Sequence, residues 1–347
     1  MGLIIIDGDV LCTDRMDGIH RFMIEILKRL DERIADENLE IHLIHRKRGT
    51  IKNLTLKNIK DVPLECRGKR YRMSVVPAYV KSTGGIYCSM SNDAVRCHNS
   101  IFTVMDLIPL SKLAHYPLKA LLRMRLTYAA IKHYGSRIVT ISNESKNDIV
   151  RKLGIEKERV TVVGTGYEHM NDIVADEGIF KKHPEIVSNE YYYAIGNQYP
   201  YKNFKWVKEV AARNPESTFV VAGAKTNIAD GLDIDIKNMI YIGYVSDGEN
   251  KALMAGAKAF IHPSKLEGFG LPPLEALSQG TPIIVANASC LPEIYGKTGH
   301  YIDPDNYDIN IDELLEEKVE ACDELLKKYS WDETAEQWLK IFFEASK

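Results

Sequence analysis

The stretch His262-Pro-Ser-Lys-Leu-Glu267-Gly-Phe-Gly270-Leu-Pro-Pro-Leu-Glu275 decides the reading of this chain. Before it lies the apolar run 257–261, which reads as a buried strand. After it, Leu274-Glu275-Ala276-Leu277 reads as the first turn of a helix. Between the two, Gly268 and Gly270 permit a tight turn and a close approach of ligand to backbone. Pro272 and Pro273 suit a helix start, where a missing N–H costs nothing. A strand, a glycine turn and a helix N-terminus together hold phosphate through backbone N–H groups and the helix dipole. Glu267 in the turn and Glu275 about one turn into the helix bracket the site. Carboxylates repel phosphate but accept hydrogen bonds from sugar hydroxyls. The local chemistry points to a ligand carrying both phosphate and sugar, such as a nucleotide sugar. The same spacing also fits a plain β-α turn with two surface glutamates.

With 347 residues the chain has room for two α/β domains, and 45% apolar with 27% charged residues is ordinary for a globular protein. No apolar run approaches the ~20 residues of a membrane span. The opening Met1-Gly-Leu-Ile-Ile-Ile-Asp7 lacks the basic and long apolar regions of a signal peptide, and Asp7 speaks against myristoylation. Six scattered cysteines without a C-x-x-C pair suggest a reducing compartment and no zinc site. A cytoplasmic location is therefore expected. The net charge of −3 hides an asymmetry. Residues 1–175 carry 28 Lys and Arg against 20 Asp and Glu, and the remainder carries 17 against 28. Different partners for the two halves follow from that, and nucleic acid is not among those expected.

Working outward, residues 3–6 read as a first buried strand, followed by Asp7-Gly8-Asp9 and a loop holding Gly18. Residues 21–30 have helical spacing. Short apolar runs at 41–44, 85–88, 101–105, 137–142 and 159–163 alternate with helical stretches. One of these is long and basic, from Lys112 to Tyr134, with Lys119, Arg123, Arg125 and Lys132 among leucines. The polar segment 175–189 marks a boundary. A second series follows: strand 191–195, helix 204–213, strands 218–222 and 239–242, and helix 247–255 with Asp247 as its cap. Beyond the opening stretch come a strand at 282–285 and helical sequence from 311 to 346, broken near Ser330-Trp331. This alternation predicts an α/β fold with parallel sheets, a first domain over 1–175 and a second over 176–330.

Tyr193-Ala-Ile-Gly196-Asn197-Gln-Tyr-Pro-Tyr-Lys202-Asn203 is the second informative stretch. It runs from a strand end through a glycine loop to a helix start, the place where open α/β sheets bind ligands. Lys202 there suits a diphosphate as a compact positive charge, and it equally suits a plain surface lysine.

Together these stretches resemble the family 4 glycosyltransferases, retaining enzymes of the GT-B fold. The matching residues are E-G-F-G-L-P-P-L-E from Glu267 to Glu275 and Y-P-Y-K-N after a strand and glycine. Gly243-Tyr-Val-Ser-Asp, Gly280-Thr-Pro-Ile-Ile-Val-Ala-Asn, Leu291-Pro-Glu-Ile-Tyr-Gly, Thr103-Val-Met-Asp106 and Gly18-Ile-His-Arg also look like that family. The resemblance covers nearly the whole chain and is closest to bacterial mannosyl- and rhamnosyltransferases of surface polysaccharide synthesis. It implies two Rossmann-like domains facing across a cleft, with the last helix, 331–347, returning to the first.

The resemblance also implies roles. Glu267 would accept hydrogen bonds from the transferred sugar, Glu275 would hold the ribose, and Lys202 would neutralise the diphosphate. Lys202 and Glu267 would be the catalytic pair. The N–H groups of Gly270 and Leu271 would extend the phosphate site, with Asn197, Gly268, Phe269 and Gly18 completing the donor side. Asp106 would lie on the acceptor side. No metal and no cofactor would be needed beyond the nucleotide-sugar donor, best matched as GDP-mannose. The acceptor would be a saccharide or lipid-linked saccharide, with a possible peripheral contact of the basic stretch with the inner face of the membrane. Two residues depart from the family pattern. Asn197 stands where many relatives have Arg, and Met105 where they have His near the sugar's C6 hydroxyl.

Three other readings of the residues stay open. A GT-B sugar-nucleotide epimerase would use the same donor without an acceptor. A sugar-binding partner subunit would bind without turnover. Asp7-Gly8-Asp9-Val-Leu11 after a strand also resembles the aspartate pair of haloacid-dehalogenase-like phosphatases, although Leu11 departs from that pattern.

Overall fold

In a computed structural model, described over residues 2–13, 16–66, 70–197, 199–223 and 236–347, the chain forms two compact units. The first comprises Met1–Leu110, Tyr116–Thr165 and Ser330–Lys347, and the second Ser111–His115 and Gly166–Tyr329. The division thus falls after Thr165, within the stretch that the sequence reading assigned to the first domain.

The first unit is built on β1 (Gly2–Asp7), β2 (Leu39–Arg46), β3 (Lys60–Leu64), β4 (Ile86–Ser89), β5 (Ser100–Thr103), β6 (Gly135–Thr140) and β7 (Val160–Val162). These form one seven-stranded sheet in the order β3-β2-β1-β4-β5-β6-β7, with every pairing parallel. Ile4, Ile5 and Ile6 of β1 are all fully buried, as expected of a central parallel strand covered on both faces. The helix Gly18–Arg33 follows β1, and its N-cap Asp17 accepts hydrogen bonds from the N–H groups of Ile19 and His20. Gly18 is therefore the first helical residue and not part of the preceding loop. The C-terminal helix Trp331–Ala345 packs on this helix, with Phe22 edge-on to Trp331 at 6.0 Å and to Trp338 at 6.5 Å. Arg33 seals the end of that contact on Asp332 at 2.8 Å.

The second unit repeats the scheme with β8 (Tyr191–Ile195), β9 (Thr218–Ala222), β10 (Met239–Gly243), β11 (Ala259–His262), β12 (Ile283–Ala286) and β13 (His300–Ile302). Its six parallel strands run β10-β9-β8-β11-β12-β13. Three successive tyrosines occupy the central strand because each buried hydroxyl finds an acceptor. Tyr191 donates to Leu253 O at 2.7 Å, Tyr192 to Asp312 at 2.7 Å and Tyr193 to Asn250 at 2.9 Å. In both sheets the chain starts at an inner strand, adds two strands on one side, then crosses to the other. The reversal opens a ligand-binding crevice beyond the carboxyl ends of β1 and β4, and of β8 and β11.

Several elements differ from the sequence reading. The basic stretch is broken: a short turn at Lys112–Ala114 ends at His115, whose φ is +50°, and the helix proper is Leu118–Tyr134 behind Pro117. The cap of helix Asp247–Ala255 is Ser246, in a reciprocal box with Glu249, and not Asp247. Strands β3 and β13 escaped the apolar pattern because β3 is a largely exposed edge strand with a proline and β13 has three residues. Gln198, quoted in the second stretch, lies outside the described residues.

Candidate active site

The site of the second unit sits where its strand order reverses. β8 is followed by Gly196, and the chain climbs through a single turn at Pro200–Lys202 into helix Phe204–Arg213. Asn203, with φ +57°, joins turn to helix, and its side chain donates to Pro263 O at 3.2 Å and Pro304 O at 2.9 Å. Lys265 N donates to Tyr201 O at 2.8 Å. The two informative stretches are thus bonded to each other, which sets the Lys202 side chain against the turn after β11.

There Lys202 Nζ donates to Oε1 of Glu267 at 2.6 Å, and His262 Nε2 meets the same oxygen at 2.8 Å. The Glu267 and His262 side chains are almost fully buried, while Lys202 keeps about a fifth of its surface (21%) exposed. Burial by itself would raise the Glu267 carboxyl; the Lys202 ammonium and the His262 ring beside it outweigh that and hold it well below the usual carboxylate range. Ser289, at φ +54°, brackets the Glu267 backbone: its hydroxyl accepts from Glu267 N at 3.1 Å and donates to Glu267 O at 3.0 Å. His262 and Ser289 are positioning residues. The sequence reading gave His262 only a loop-orienting place and did not single out Ser289, whose contact spans a sequence gap that no local pattern reveals.

The turn then closes on Gly270, φ +84°, and helix Leu271–Ser278 begins. A side chain at Gly270 would be strained by that φ and would press within 2.6 Å of Leu291. Tyr295 fixes the turn from beneath, donating its hydroxyl to Gly270 O. First-turn N–H groups have no partner inside a helix. Since positions 272 and 273 are prolines, Gly270 and Leu271 supply those nearest the turn. Gly268 is buried in the same turn. Phe269, expected on the donor side, packs inward instead, buried and edge-on to Tyr329 at 5.1 Å. Asn197 is exposed in the loop after β8.

Glu275, one turn into the helix, is mostly buried, and its Oε1 lies 2.9 Å from His169 Nε2. His169 belongs to the turn His169–Asp172, far from Glu275 in sequence, and no motif announced it. The second unit therefore brings Lys202, Glu267, Gly268, Gly270, Leu271 and Glu275 into one segment pair. The remaining expected residues belong to the first unit: Gly18 opens its first helix, and Asp106 closes a turn after β5 by accepting from Ile108 N at 2.9 Å. Among the described residues no group of three His, Cys, Asp or Glu side chains is placed to hold a metal ion.

The phosphatase reading of Asp7-Gly8-Asp9 does not survive. Asp7 is fully buried and bonded to Arg72 Nε at 2.8 Å and Tyr87 hydroxyl at 3.0 Å; Asp9 is paired with Arg46 at 2.7 Å. An occluded, ion-paired carboxylate is a poor nucleophile.

Residues 176–333 match the family described as glycosyl transferases group 1. The chain is similar to the O-antigen chain mannosyltransferase B of Escherichia coli, 27% identical over 189 residues, 49% of this chain and 48% of that protein. It is also similar to the O-antigen chain mannosyltransferase RfbU of Salmonella typhimurium, 24% identical over 230 residues, 64% of this chain and 61% of that protein. The matched segments thus span about half to three-fifths of these relatives. Among solved structures, sucrose-phosphate synthase from Thermosynechococcus elongatus superposes with a TM-score of 0.73 at 13% identity, covering 99% of both chains. HepE of Anabaena in complex with UDP superposes at 0.69 and 15% identity, covering 99% of this chain and 100% of that one. The architecture is the GT-B fold, with two parallel-sheet Rossmann-like domains.

Proposed function

We propose that this protein is a retaining hexosyltransferase that moves a mannosyl unit from GDP-mannose to a saccharide hydroxyl in cell-surface polysaccharide synthesis, without a metal. The observation that carries this reading is the Lys202–Glu267 pair at 2.6 Å beside the N-terminus of helix Leu271–Ser278. The barrier to transfer lies in breaking the bond from sugar to diphosphate. Negative charge grows on the leaving phosphate, and a cation with preorganised N–H groups stabilises it where it grows. Lysine has three N–H donors, so Lys202 can reach a phosphate oxygen while keeping Glu267. Both bonds to Glu267 fall on Oε1, which leaves Oε2 to accept a sugar hydroxyl. Glu275, oriented by His169, accepts from the ribose. The mannosyl donor and the polysaccharide setting rest on the names of the similar O-antigen mannosyltransferases. The experiment is incubation with GDP-mannose and other nucleotide sugars, with and without EDTA. Release of nucleoside diphosphate in EDTA supports the transferase. An interconverted nucleotide sugar would make the protein an epimerase, and tight binding without conversion a sugar-binding subunit.

Helix Leu118–Tyr134 favours a lipid-linked acceptor. Among the described residues no helix is long and apolar enough to cross a membrane. This helix, however, exposes Leu118 at 82%, Leu122 at 59% and Leu126 at 64%. Their spacing of four puts them in one stripe, with Lys119, Arg123 and Arg125 interleaved. Lys132 is not part of that face, because its ammonium donates to Leu153 O at 3.0 Å. An exposed apolar stripe flanked by cations fits the interfacial layer of an anionic membrane.

A further inference from the structure

The Asp7-Gly8-Asp9 motif has a use in the first unit that the transfer reading leaves unassigned. Beyond the carboxyl ends of β1 and β2, and reaching the loop after β4, lies a cavity of about 400 Å³. Its lining includes Asp9, Cys12, Arg46, Arg48, Arg72 and Asp93. It borders the reversal of strand order between β1 and β4, which it reaches through Asp9 and Asp93.

The carboxylates of the motif are guanidinium holders. Asp9 Oδ2 takes both Nε of Arg46, at 3.1 Å, and its NH2 nitrogen, at 2.7 Å. Asp7 takes Arg72 Nε at 2.8 Å on Oδ2 from a fully buried position, and the Tyr87 hydroxyl donates to the same oxygen at 3.0 Å. The Arg46 guanidinium also lies over the Tyr71 ring at 5.6 Å. Exposure separates the two signs: the Asp9 side chain is 9% exposed against 49% for Arg46, and Asp7 0% against 27% for Arg72. Guanidinium groups therefore stand in front and the carboxylates behind them. Arg48 adds a third cation at the rim, exposed and without an ion-pair partner among the described residues. Asp93 stands in front, its side chain 42% exposed and bound to Arg72 at 3.0 Å, and it suits a sugar hydroxyl.

We propose that this cavity is an anion subsite, in which Arg46, Arg48 and Arg72 take a phosphate or carboxylate group borne by the acceptor while Asp93 takes a hydroxyl of its sugar. Preset guanidinium groups match the planar pair of oxygens that both anions present. The volume suits one acidic sugar or the sugar-diphosphate junction of a lipid carrier. The identity of the ligand as an acceptor rests on the transferase reading; the anion site itself does not.

Calorimetric titration of the full chain tests it with inorganic pyrophosphate, mannose 6-phosphate, glucuronate and neutral mannose, each with GDP present to occupy the second unit. A separate GDP titration reports the donor site, so failure of either reading is seen alone. At least one anionic probe should bind where mannose does not. Arg48→Ser and Arg46→Gln should each weaken it about tenfold, the worth of one charged hydrogen bond, with GDP affinity unchanged. Preference for pyrophosphate would mark a carrier diphosphate, and preference for mannose 6-phosphate or glucuronate an acidic sugar. Arg48 is at the surface and in no ion pair among the described residues, so its substitution leaves the fold intact. Absence of anion binding in the wild type, or binding unchanged in Arg48→Ser, would overturn the proposal.

Discussion

Lys202 Nζ lies 2.6 Å from Glu267 Oε1, so the cation assigned to the leaving group is already ordered on the acid assigned to the sugar. Its charge is worth most when the sugar–phosphate bond breaks, not when the donor binds. Lys202→Ala should therefore lower kcat by about a hundredfold or more, the usual loss for one preorganised donor, while GDP affinity falls by a smaller factor. Steady-state rates beside a GDP titration give both numbers. Equal losses in the two would make Lys202 a binding residue only.

Glu267 carries a pH signature. Its carboxyl is held well below the usual carboxylate range in the folded state, with burial opposed and outweighed by Lys202 and His262. A depressed folded value means that the stability contributed by ionised Glu267 is complete above the unfolded value and is lost as pH falls below it. Melting curves of wild type and Glu267→Gln should differ by a constant Tm gap at neutral and mildly acidic pH. The gap should narrow once pH drops below the ordinary carboxylate range. A gap that widened on acidification would contradict the assignment.

Glu275 and His169 form the second coupled pair, at 2.9 Å. Glu275→Ala removes the acceptor proposed for the ribose and should weaken GDP binding by about ten- to a hundredfold, as for a charged hydrogen bond of ~1.5–3 kcal/mol. His169→Ala should weaken it less, because the carboxylate remains and only its orientation is lost. Dissociation constants for the two variants decide, and a larger effect of His169→Ala would reverse the roles.

The exposed stripe on helix Leu118–Tyr134 separates apolar from electrostatic attachment. Each basic residue near an anionic surface contributes ~1 kcal/mol and is screened by salt. Burial of a leucine side chain contributes roughly 1.5–3 kcal/mol and is not. Sedimentation with anionic vesicles should fall for Lys119/Arg123/Arg125→Ser at low salt. It should fall for Leu118/Leu122/Leu126→Ser at any salt. Failure of the wild type to sediment with anionic or neutral vesicles would sink the membrane contact.

Much of this was legible in the sequence because it was local. The turn from His262 to Glu275 combines a strand, two glycines and a proline pair, each with its own conformational demand, and β8 and helix Phe204–Arg213 have the bounds that their periodicity predicts. What escaped was contact across long gaps. His169 and Ser289 acquire their places only when distant segments meet, and single-sequence periodicity carries no trace of that. The resemblance alone places Phe269 on the donor side, yet a phenylalanine finds more stabilisation against Tyr329 than in water. In the basic stretch, Pro117 and the left-handed His115 override an otherwise helical composition. Asp7-Gly8-Asp9 was ambiguous for a further reason. The arginines that claim its carboxylates, Arg46 and Arg72, lie on later elements.

Proton NMR of GDP-mannose incubated with wild type and with Lys202→Ala in EDTA, with a mannose-terminated disaccharide present, tests the central claim most directly. The wild type should release GDP and yield mannose in the donor's own α configuration, as a glycoside or as the first-formed anomer of the free sugar. Lys202→Ala should do so about a hundredfold more slowly or worse. Persistence of GDP-mannose with the wild type, a β product, or equal turnover by the two proteins would contradict it.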